Sequence, residues 1–316
     1  MSKVVLLTGG LGYIGGRLAS TLVASGYEVR CGTRRYGMAP PDWLPSMSMV
    51  ALDWMSIEAL TEACKDVDHV IHLAAMNEID SVNDPLGALQ TNGLASLRLL
   101  EAAKVAGVRR LVYFSTAHVY GAPLQGLIDE TTLTRPTHPY AITHKTAEDF
   151  ILAAHDKKQI EGLVIRLSNG FGAPATPDID RWTLLINDLC RQAATTGKLR
   201  LNSAGTQLRD FVTLTDVARA VNHLLQLSAE KLGDGLFNLG GGQSRSILEM
   251  TERVAARWRV LTGHDIEVIR PTADGLPVSV LDYRCDKLAA TGFLLAGQID
   301  REIDDTLVLC LRAFGR

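Results

Sequence analysis

Short β-branched runs alternate with stretches of helical spacing through the first half of the chain. Lys3–Thr8 is an apolar run of strand length, and Gly15–Ser25 places Leu18, Leu22 and Val23 on one side of a helix. Tyr27–Thr33, Met47–Leu52, Asp68–Ala74, Arg110–Ser115 and Gly162–Leu167 read as further strands. Between them Pro85–Ala106 reads as a long amphipathic helix carrying Leu86, Leu89, Leu94, Leu97 and Leu100, and Tyr140–His155 as another. Apolar strands alternating with helices predict a parallel sheet covered on both faces. After Leu167 the texture changes. Residues 169–180 are rich in Gly, Pro, Ala and Asp, as in a loop over a cleft, Trp182–Thr196 reads as a helix, and the remainder mixes short elements. The expected fold class is α/β: a doubly wound parallel sheet over 1–167, then a smaller, partly interleaved α/β part over 168–316.

The 316 residues are enough for one large domain or two smaller ones with a substantial core. With 47% hydrophobic residues and a net charge of −3, disorder is not expected. No basic excess exists to neutralise phosphates, so nucleic acid is not an expected partner. Nor is a membrane, because no apolar run reaches the roughly 18 residues that a span requires. The chain opens directly on Lys3-Val-Val-Leu-Leu-Thr8, without the form of a signal peptide. Cysteines at 31, 64, 190, 285 and 310 have no metal-ligand spacing. They read as reduced thiols in a cytoplasmic protein, and no metal site is expected.

Candidate chemistry begins at Thr8-Gly9-Gly10-Leu11-Gly12-Tyr13-Ile14-Gly15, which follows the first strand and opens the first helix. In that position Gly9 permits a tight turn, Gly12 lets the backbone approach a pyrophosphate, and Gly15 lets helix and strand pack closely. The amides and positive end of the helix favour phosphate, so the turn predicts a dinucleotide site. An NAD site would place an acidic residue about 20 residues on, for the ribose hydroxyls. The chain has Gly32-Thr33-Arg34-Arg35 instead. Arginine offers a bidentate partner to a 2′-phosphate, which favours NADP, with NAD the alternative. Asp53, after the third strand, could accept from the adenine amino group or cap a helix.

These residues, with Phe114-Ser-Thr116-Ala-His-Val-Tyr-Gly121 and Pro139-Tyr140, resemble the extended short-chain dehydrogenase/reductase family, among its nucleotide-sugar epimerases, dehydratases and reductases. His72-Leu73-Ala74-Ala75 is similar to the family's strand beside the cofactor. Arg166-Leu-Ser-Asn169-Gly-Phe-Gly172, Arg209-Asp-Phe-Val212 and Phe237-Asn-Leu-Gly-Gly241 resemble its RxxNxxG, RDF/Y-V and YNxG segments. The resemblance covers nearly the whole chain. It implies a Rossmann-like cofactor domain over 1–167, onto which a later segment at about 211–240 folds back, and a substrate-gripping part over 168–316. It also implies hydride transfer between nicotinamide and a sugar carbon, and a homodimer formed by the helices around Pro85–Ala106 and Tyr140–His155.

Within the resemblance Tyr140 matches the acid/base tyrosine, and Thr116, or its neighbour Ser115, the hydroxyl that bonds the reacting oxygen. The family pattern YxxxK is broken here: Tyr140-Ala-Ile-Thr-His144-Lys145 puts His144 four residues on. On a helix i+4 lies over i, while i+5 is turned about 100° further round. His144 therefore stands where the lysine holds the nicotinamide ribose and lowers the tyrosine pKa; Lys145 could reach in only through a distorted helix. Glu148 keeps the family's downstream register. Dehydratases need an acid and base after the threonine, and Ala117 cannot transfer a proton. His118 could act as an acid/base or pack beneath the cofactor. The reading is an NAD(P)-dependent epimerase acting near C4 of a nucleoside diphosphate-sugar. An NADPH-dependent 4-ketosugar reductase and a weakly catalytic dinucleotide-binding sensor stand as alternatives. Asn169, Arg209 and Arg270 are candidates for the substrate diphosphate, Arg209 with an ion pair to Asp210 as its competing role. Trp182 either stacks on the base or packs at the cleft edge.

Overall fold

The structure, a computed structural model, describes residues 2–179, 181–272 and 280–315. Its elements begin β1 (Val4–Thr8), α1 (Tyr13–Ala24), β2 (Glu28–Thr33), β3 (Ser48–Ala51), α2 (Ile57–Ala63) and β4 (His69–His72). A short α3 (Glu78–Asn83) leads to α4 (Pro85–Ala88), which runs through a π segment, Leu89–Leu94, into α5 (Ala95–Val105). Next come β5 (Arg110–Thr116), β6 (Gly126–Ile128), α6 (Pro139–Asp156), β7 (Glu161–Leu167), β8 (Asn169–Phe171) and α7 (Leu185–Thr196). They are followed by β9 (Lys198–Arg200), β10 (Leu208–Thr213), α8 (Leu214–Gln226), β11 (Leu236–Leu239), β12 (Ser244–Ser246) and α9 (Ile247–Thr262). The chain ends through β13 (Glu267–Ile269), β14 (Leu281–Tyr283), α10 (Asp286–Ala290) and α11 (Ile299–Phe314).

A seven-stranded sheet runs β11-β7-β5-β4-β1-β2-β3 with every neighbouring pair parallel. Successive side chains of a strand point to opposite faces, and here both faces are covered. Val5 and Leu7 of β1 therefore enter one core layer, with Leu18 and Leu22 of α1 and Val217 and Val221 of α8. Leu6 enters the other, with Leu60 of α2, Leu99 of α5 and Ile151 of α6. That double burial is why the strands read as unbroken apolar runs. The chain leaves β1 toward β2 and β3, then returns past β1 to β4. The carboxyl ends of β1 and β4 thus flank a topological switch point, where such sheets bind ligands.

A separate core joins α7, α9 and α11 through Ile186, Leu189, Cys190, Met250, Val254, Ile303 and Leu307. Above it lies a three-stranded sheet, β12-β10-β8. From there the chain goes back: α8 packs with α1, and β11 becomes an edge of the large sheet, Phe237 opposite Ile165 of β7. The two cores are stitched together through α1. Tyr13 Oη donates to the Gly172 carbonyl at 3.0 Å, and Arg17 Nη1 donates to Glu302 Oε1 of α11 at 2.8 Å. Buried Glu302 also accepts from the Thr215 amide at 3.2 Å and the Thr215 hydroxyl at 2.6 Å.

Two expected helices differ in detail. Pro85–Ala106 is helical throughout but carries the π segment, which swings Asn92 inward to full burial. The helix expected from Trp182 begins at Leu185, because Trp182 is held in the preceding turn by its Nε1 donating to the Pro177 carbonyl at 2.9 Å.

Removing a buried acceptor that serves several donors costs more than removing an exposed ion pair. Glu302→Ala is expected to lower the unfolding free energy by about 3 kcal/mol, read from urea melts. Arg17→Ala strands the 2%-exposed Glu302 carboxylate without its cation and should cost a comparable amount.

Candidate active site

The loop between β1 and α1 forms a backbone cradle. Gly9 has φ of +71°, and its carbonyl accepts from the Gly12 amide at 2.9 Å. A Cβ on Gly15 would lie 2.1 Å from the Gly9 oxygen, and one on Gly9 would lie 2.9 Å from the Ala74 nitrogen. No side chain caps the first turn of α1, so its amides stay open to the cavity. That cavity, of about 1440 Å³, runs over the carboxyl ends of the strands and is lined by Gly9, Gly12, Tyr13, Ile14 and Gly15. Arg34 and Arg35, both exposed, line it beyond β2, and Leu73, Ala74 and Ala75 line it beyond β4.

Beneath the cradle a hydrogen-bond chain sets the wall. Thr8 Oγ1 receives the Leu73 and Ala74 amides at 3.2 and 3.3 Å and lies 2.6 Å from His72 Nδ1. Its own proton therefore goes to Nδ1, and His72 Nε2 donates to Ser96 Oγ at 2.8 Å. Ser96 passes its proton to the Asn92 carbonyl at 2.6 Å. The Asn92 side chain then ties both walls: Oδ1 receives the Met76 amide at 2.7 Å, and Nδ2 donates to Thr143 Oγ1 of α6 at 3.0 Å. The π segment is what aims it there, a use of irregular helix common at functional sites.

Ser115, Thr116, Tyr140 and His144 all line the cavity. The Ser115 hydroxyl is committed to Glu148 Oε2 at 2.9 Å. Among the described residues Thr116 Oγ1 receives only the His118 amide, at 3.2 Å, so its proton is free to be donated. Of the two expected hydroxyls, Thr116 is the one available. The Tyr140 and His144 rings meet edge-on with centroids 4.4 Å apart. Buried His144 has Nδ1 2.8 Å from the Tyr113 hydroxyl, while its Nε2 has no partner among the described residues. Burial raises the pKa of Tyr113, so its proton stays on and is available to Nδ1. With Nδ1 accepting from Tyr113, the imidazole proton lies on Nε2, at the cavity.

On the other side Asn169 and Arg209 line the cavity from β8 and β10. Asn169 gives one amide proton to the Asp210 carbonyl at 2.8 Å. Arg209 makes no ion pair among the described residues. Asp210 turns inward instead, to the Ser168 hydroxyl and to the Gly241 amide at 2.8 Å. Arg209 is therefore open to an anion.

The Gly9 and Gly15 close approaches, the uncapped α1 amides and the orphaned His144 nitrogen fit a dinucleotide. Residues 5–240 match the NAD dependent epimerase/dehydratase family. The chain belongs to this family, and it is an enzyme. It is 30% identical over 305 residues to UDP-glucose 4-epimerase of Streptomyces lividans, covering 89% of this chain and 88% of the relative. The structure of MoeE5 in complex with UDP-glucuronic acid and NAD superposes with TM-score 0.77 at 29% identity, over 98% of this chain and 99% of that one. UDP-glucose 4-epimerase of Thermus thermophilus, complexed with NAD, gives TM-score 0.79 at 25% identity, over 98% and 99%.

Two expectations for this family member, Asp53 and Arg270 as ligand contacts, are corrected by the structure, and the alternatives left open for Lys145 and Trp182 are decided. Asp53 is not part of the cavity lining, because its carboxylate receives the Met55 amide at 2.9 Å in a turn. Arg270 also lies outside it: Nη1 donates to the Ala204 carbonyl at 3.2 Å, bracing a loop whose residues do line the cavity. The stretch after Arg270 falls partly at 273–279, outside the described residues. Lys145 turns away from the cavity to Asp149 and, at 3.8 Å, Glu148. Trp182 packs edge-on against Phe314 at 5.1 Å and does not reach the cavity. Sequence reasoning missed Asn92, Tyr113, Glu78 and Arg181. Only Asn92 left a signal, the polar Gln90-Thr91-Asn92-Gly93 break inside an apolar helical stripe.

Burial holds His144 down to about 4 and His72 down to about 3, from 6.5. As pH falls below about 6.5 the unfolded chain takes up protons that the folded chain refuses, so each group's stability contribution is lost on acidification. Buried Asp210, raised to about 6, works the other way: its folded carboxyl protonates first, adding stability as pH falls from 6 toward 4. The His72→Gln variant should therefore show a stability-against-pH slope shallower than the parent's below pH 6, by about 1 kcal/mol per pH unit. Urea melts at pH 6, 5.5 and 5 measure it, and parallel slopes would mean that folded His72 takes up its proton normally.

Proposed function

We propose that the chain epimerises a nucleoside diphosphate-sugar at C4, with Tyr140 as acid/base. The observation that carries this is the convergence on one cavity of a free hydroxyl (Thr116), a phenol without a bonding partner among the described residues (Tyr140) and an unpaired arginine (Arg209). UDP-hexoses are the first substrates to try, since the similar enzymes are UDP-glucose 4-epimerases. The dinucleotide, when bound, supplies the hydride-accepting carbon. His144 Nε2–H would hold a ribose hydroxyl, and the α1 amides the pyrophosphate. Thr116 would donate to the sugar O4, and Tyr140 would take its proton as the C4 hydrogen leaves as hydride, then return it after the ketone is reduced on its other face. Arg209 and Asn169 would hold the diphosphate. In this assignment 1–167 with 211–240 carries the cofactor, and the rest of 168–316 the sugar nucleotide.

Arg34 and Arg35 at the end of β2, with no carboxylate beside them, support a preference for NADP over NAD. The same pair favours the second reading, an NADPH-dependent 4-ketosugar reductase. A homodimer is supported by an exposed apolar face shared by Leu86, Leu89 and Leu94 with Ile142 and Phe150 of α6. The free cysteines fit a reducing, cytoplasmic setting.

Tyr140→Phe should lower UDP-glucose to UDP-galactose conversion by about 10²-fold or more while leaving cofactor affinity within about twofold. Replacing Arg34 and Arg35 with Ala should weaken NADP binding about tenfold and spare NAD. Equal losses for both cofactors would remove the NADP preference. Phe150→Asp together with Leu94→Glu should convert a dimer to a monomer in light scattering.

A further inference from the structure

The 4-ketone through which the proposed reaction passes is itself reactive. A carbonyl acidifies the hydrogens on its neighbouring carbons, here C3 and C5, so a base beside it can remove one. The enolate that forms carries its charge on O4. Thr116 would donate to that oxygen, and so would Tyr140 once it has taken up the O4 proton. The site therefore has the donors that an enolate needs, and a base decides whether one forms.

His118 stands where such a base is needed. It lies in a short 3₁₀ turn, Ala117–Tyr120, capped by Thr116, whose Oγ1 receives the His118 amide at 3.2 Å. Ala117, Val119 and Tyr120 are buried in a small core with Ile128, Leu281 and Tyr283. The Tyr120 hydroxyl is committed to Asn238 Oδ1 at 2.7 Å. His118 is the one residue of the turn left exposed, and it lines the same cavity as Thr116 and Tyr140. A hydroxyl and an imidazole two residues apart thus share one space.

No side chain among the described residues bonds that imidazole. Its pKa is lowered, first by partial withdrawal from water among the cavity walls and then by Arg209. Glu78 and the Gly121 backbone oppose this, and His138 adds to it. The ring is therefore neutral at neutral pH, the form that accepts a proton. Its exposure lets it trade that proton with water.

We propose that His118 is a second base of this site, which enolises a 4-keto nucleoside diphosphate-sugar and exchanges a hydrogen on a carbon beside C4. The C–H bond breaks, and its electron pair becomes a C=C bond. The carbonyl pair moves onto O4, and the proton goes to the imidazole. The reverse step returns a proton drawn from water. A single base returns it to the face it left, so the activity is exchange with configuration kept. The inference rests on Thr116 and Tyr140 holding O4 as proposed above.

The test supplies the ketone ready made. UDP-4-keto-6-deoxyglucose is incubated in D2O with the full chain and NAD, and deuterium at C3 and C5 is read by proton NMR and mass. Uptake at one of these carbons should run about 10²-fold faster than in buffer alone. His118→Gln should bring it close to the buffer rate, and His118→Glu, which keeps a base, should restore part of it. Conversion of UDP-glucose to UDP-galactose, assayed in parallel, should fall far less in His118→Gln than uptake does. No uptake above buffer, uptake that survives in His118→Gln, or uptake and conversion lost in the same proportion would each overturn the proposal. A parent chain that does not interconvert UDP-glucose and UDP-galactose overturns the proposed function instead, and the ketone assay with the Gln and Glu variants still decides the role of His118.

Discussion

The helix that carries Tyr140 is pinned by a buried ion pair. Glu148 and Arg166 are both nearly inaccessible, with Arg166 Nε 3.2 Å from each carboxylate oxygen, and Ser115 donates to the same carboxylate at 2.9 Å. One buried carboxylate therefore fixes α6 to β7 and to the end of β5. Breaking such a pair leaves a charge in the interior, a loss of about 3–5 kcal/mol, so α6 has little freedom to rotate about its axis. Asn92, bonded to Thr143, fixes the start of the same helix. His144 lies between these two anchors and Tyr140 just before Thr143, and their orientation follows from the anchors.

Once the register of α6 is set, i and i+4 face the cavity and i+5 does not. A lysine one residue late has no way in, since turning the helix to admit it would pull Glu148 from Arg166. Lys145 is instead drawn to exposed Asp149, with buried Glu148 3.8 Å away. What the chain keeps at i+4 is a buried imidazole whose Nδ1 is bonded to Tyr113 from behind.

The large sheet was legible because its central strands are buried on both faces and so read as short apolar runs; β1, β2, β3 and β4 fall within the expected stretches, and β5 and β7 overrun theirs by one residue. The glycine turn was legible because its spacing follows from backbone sterics alone, and Gly15 against the Gly9 oxygen shows that constraint directly. Long-range pairings were not legible. Whether Asp53 meets a ligand or a turn, and whether Arg209 pairs with Asp210, depends on side-chain direction at positions that periodicity does not constrain. Glu78, at the start of α3, and Arg181, before α7, stand over 100 residues apart, and only the closing of the fold brings them together.

Putting histidine at the lysine position changes how the site responds to pH. An ammonium would tie cofactor contact to phenol acidity, so anything that perturbed one would perturb the other. In the proposed arrangement the hydrogen bond comes instead from an imidazole whose pKa burial holds down to about 4, so a cofactor contact made through Nε2 would not change over the range in which the enzyme would work. His144 then brings no charge to the phenol, and the pH response of proton transfer is left to Tyr140 itself, whose pKa burial pushes up to about 12.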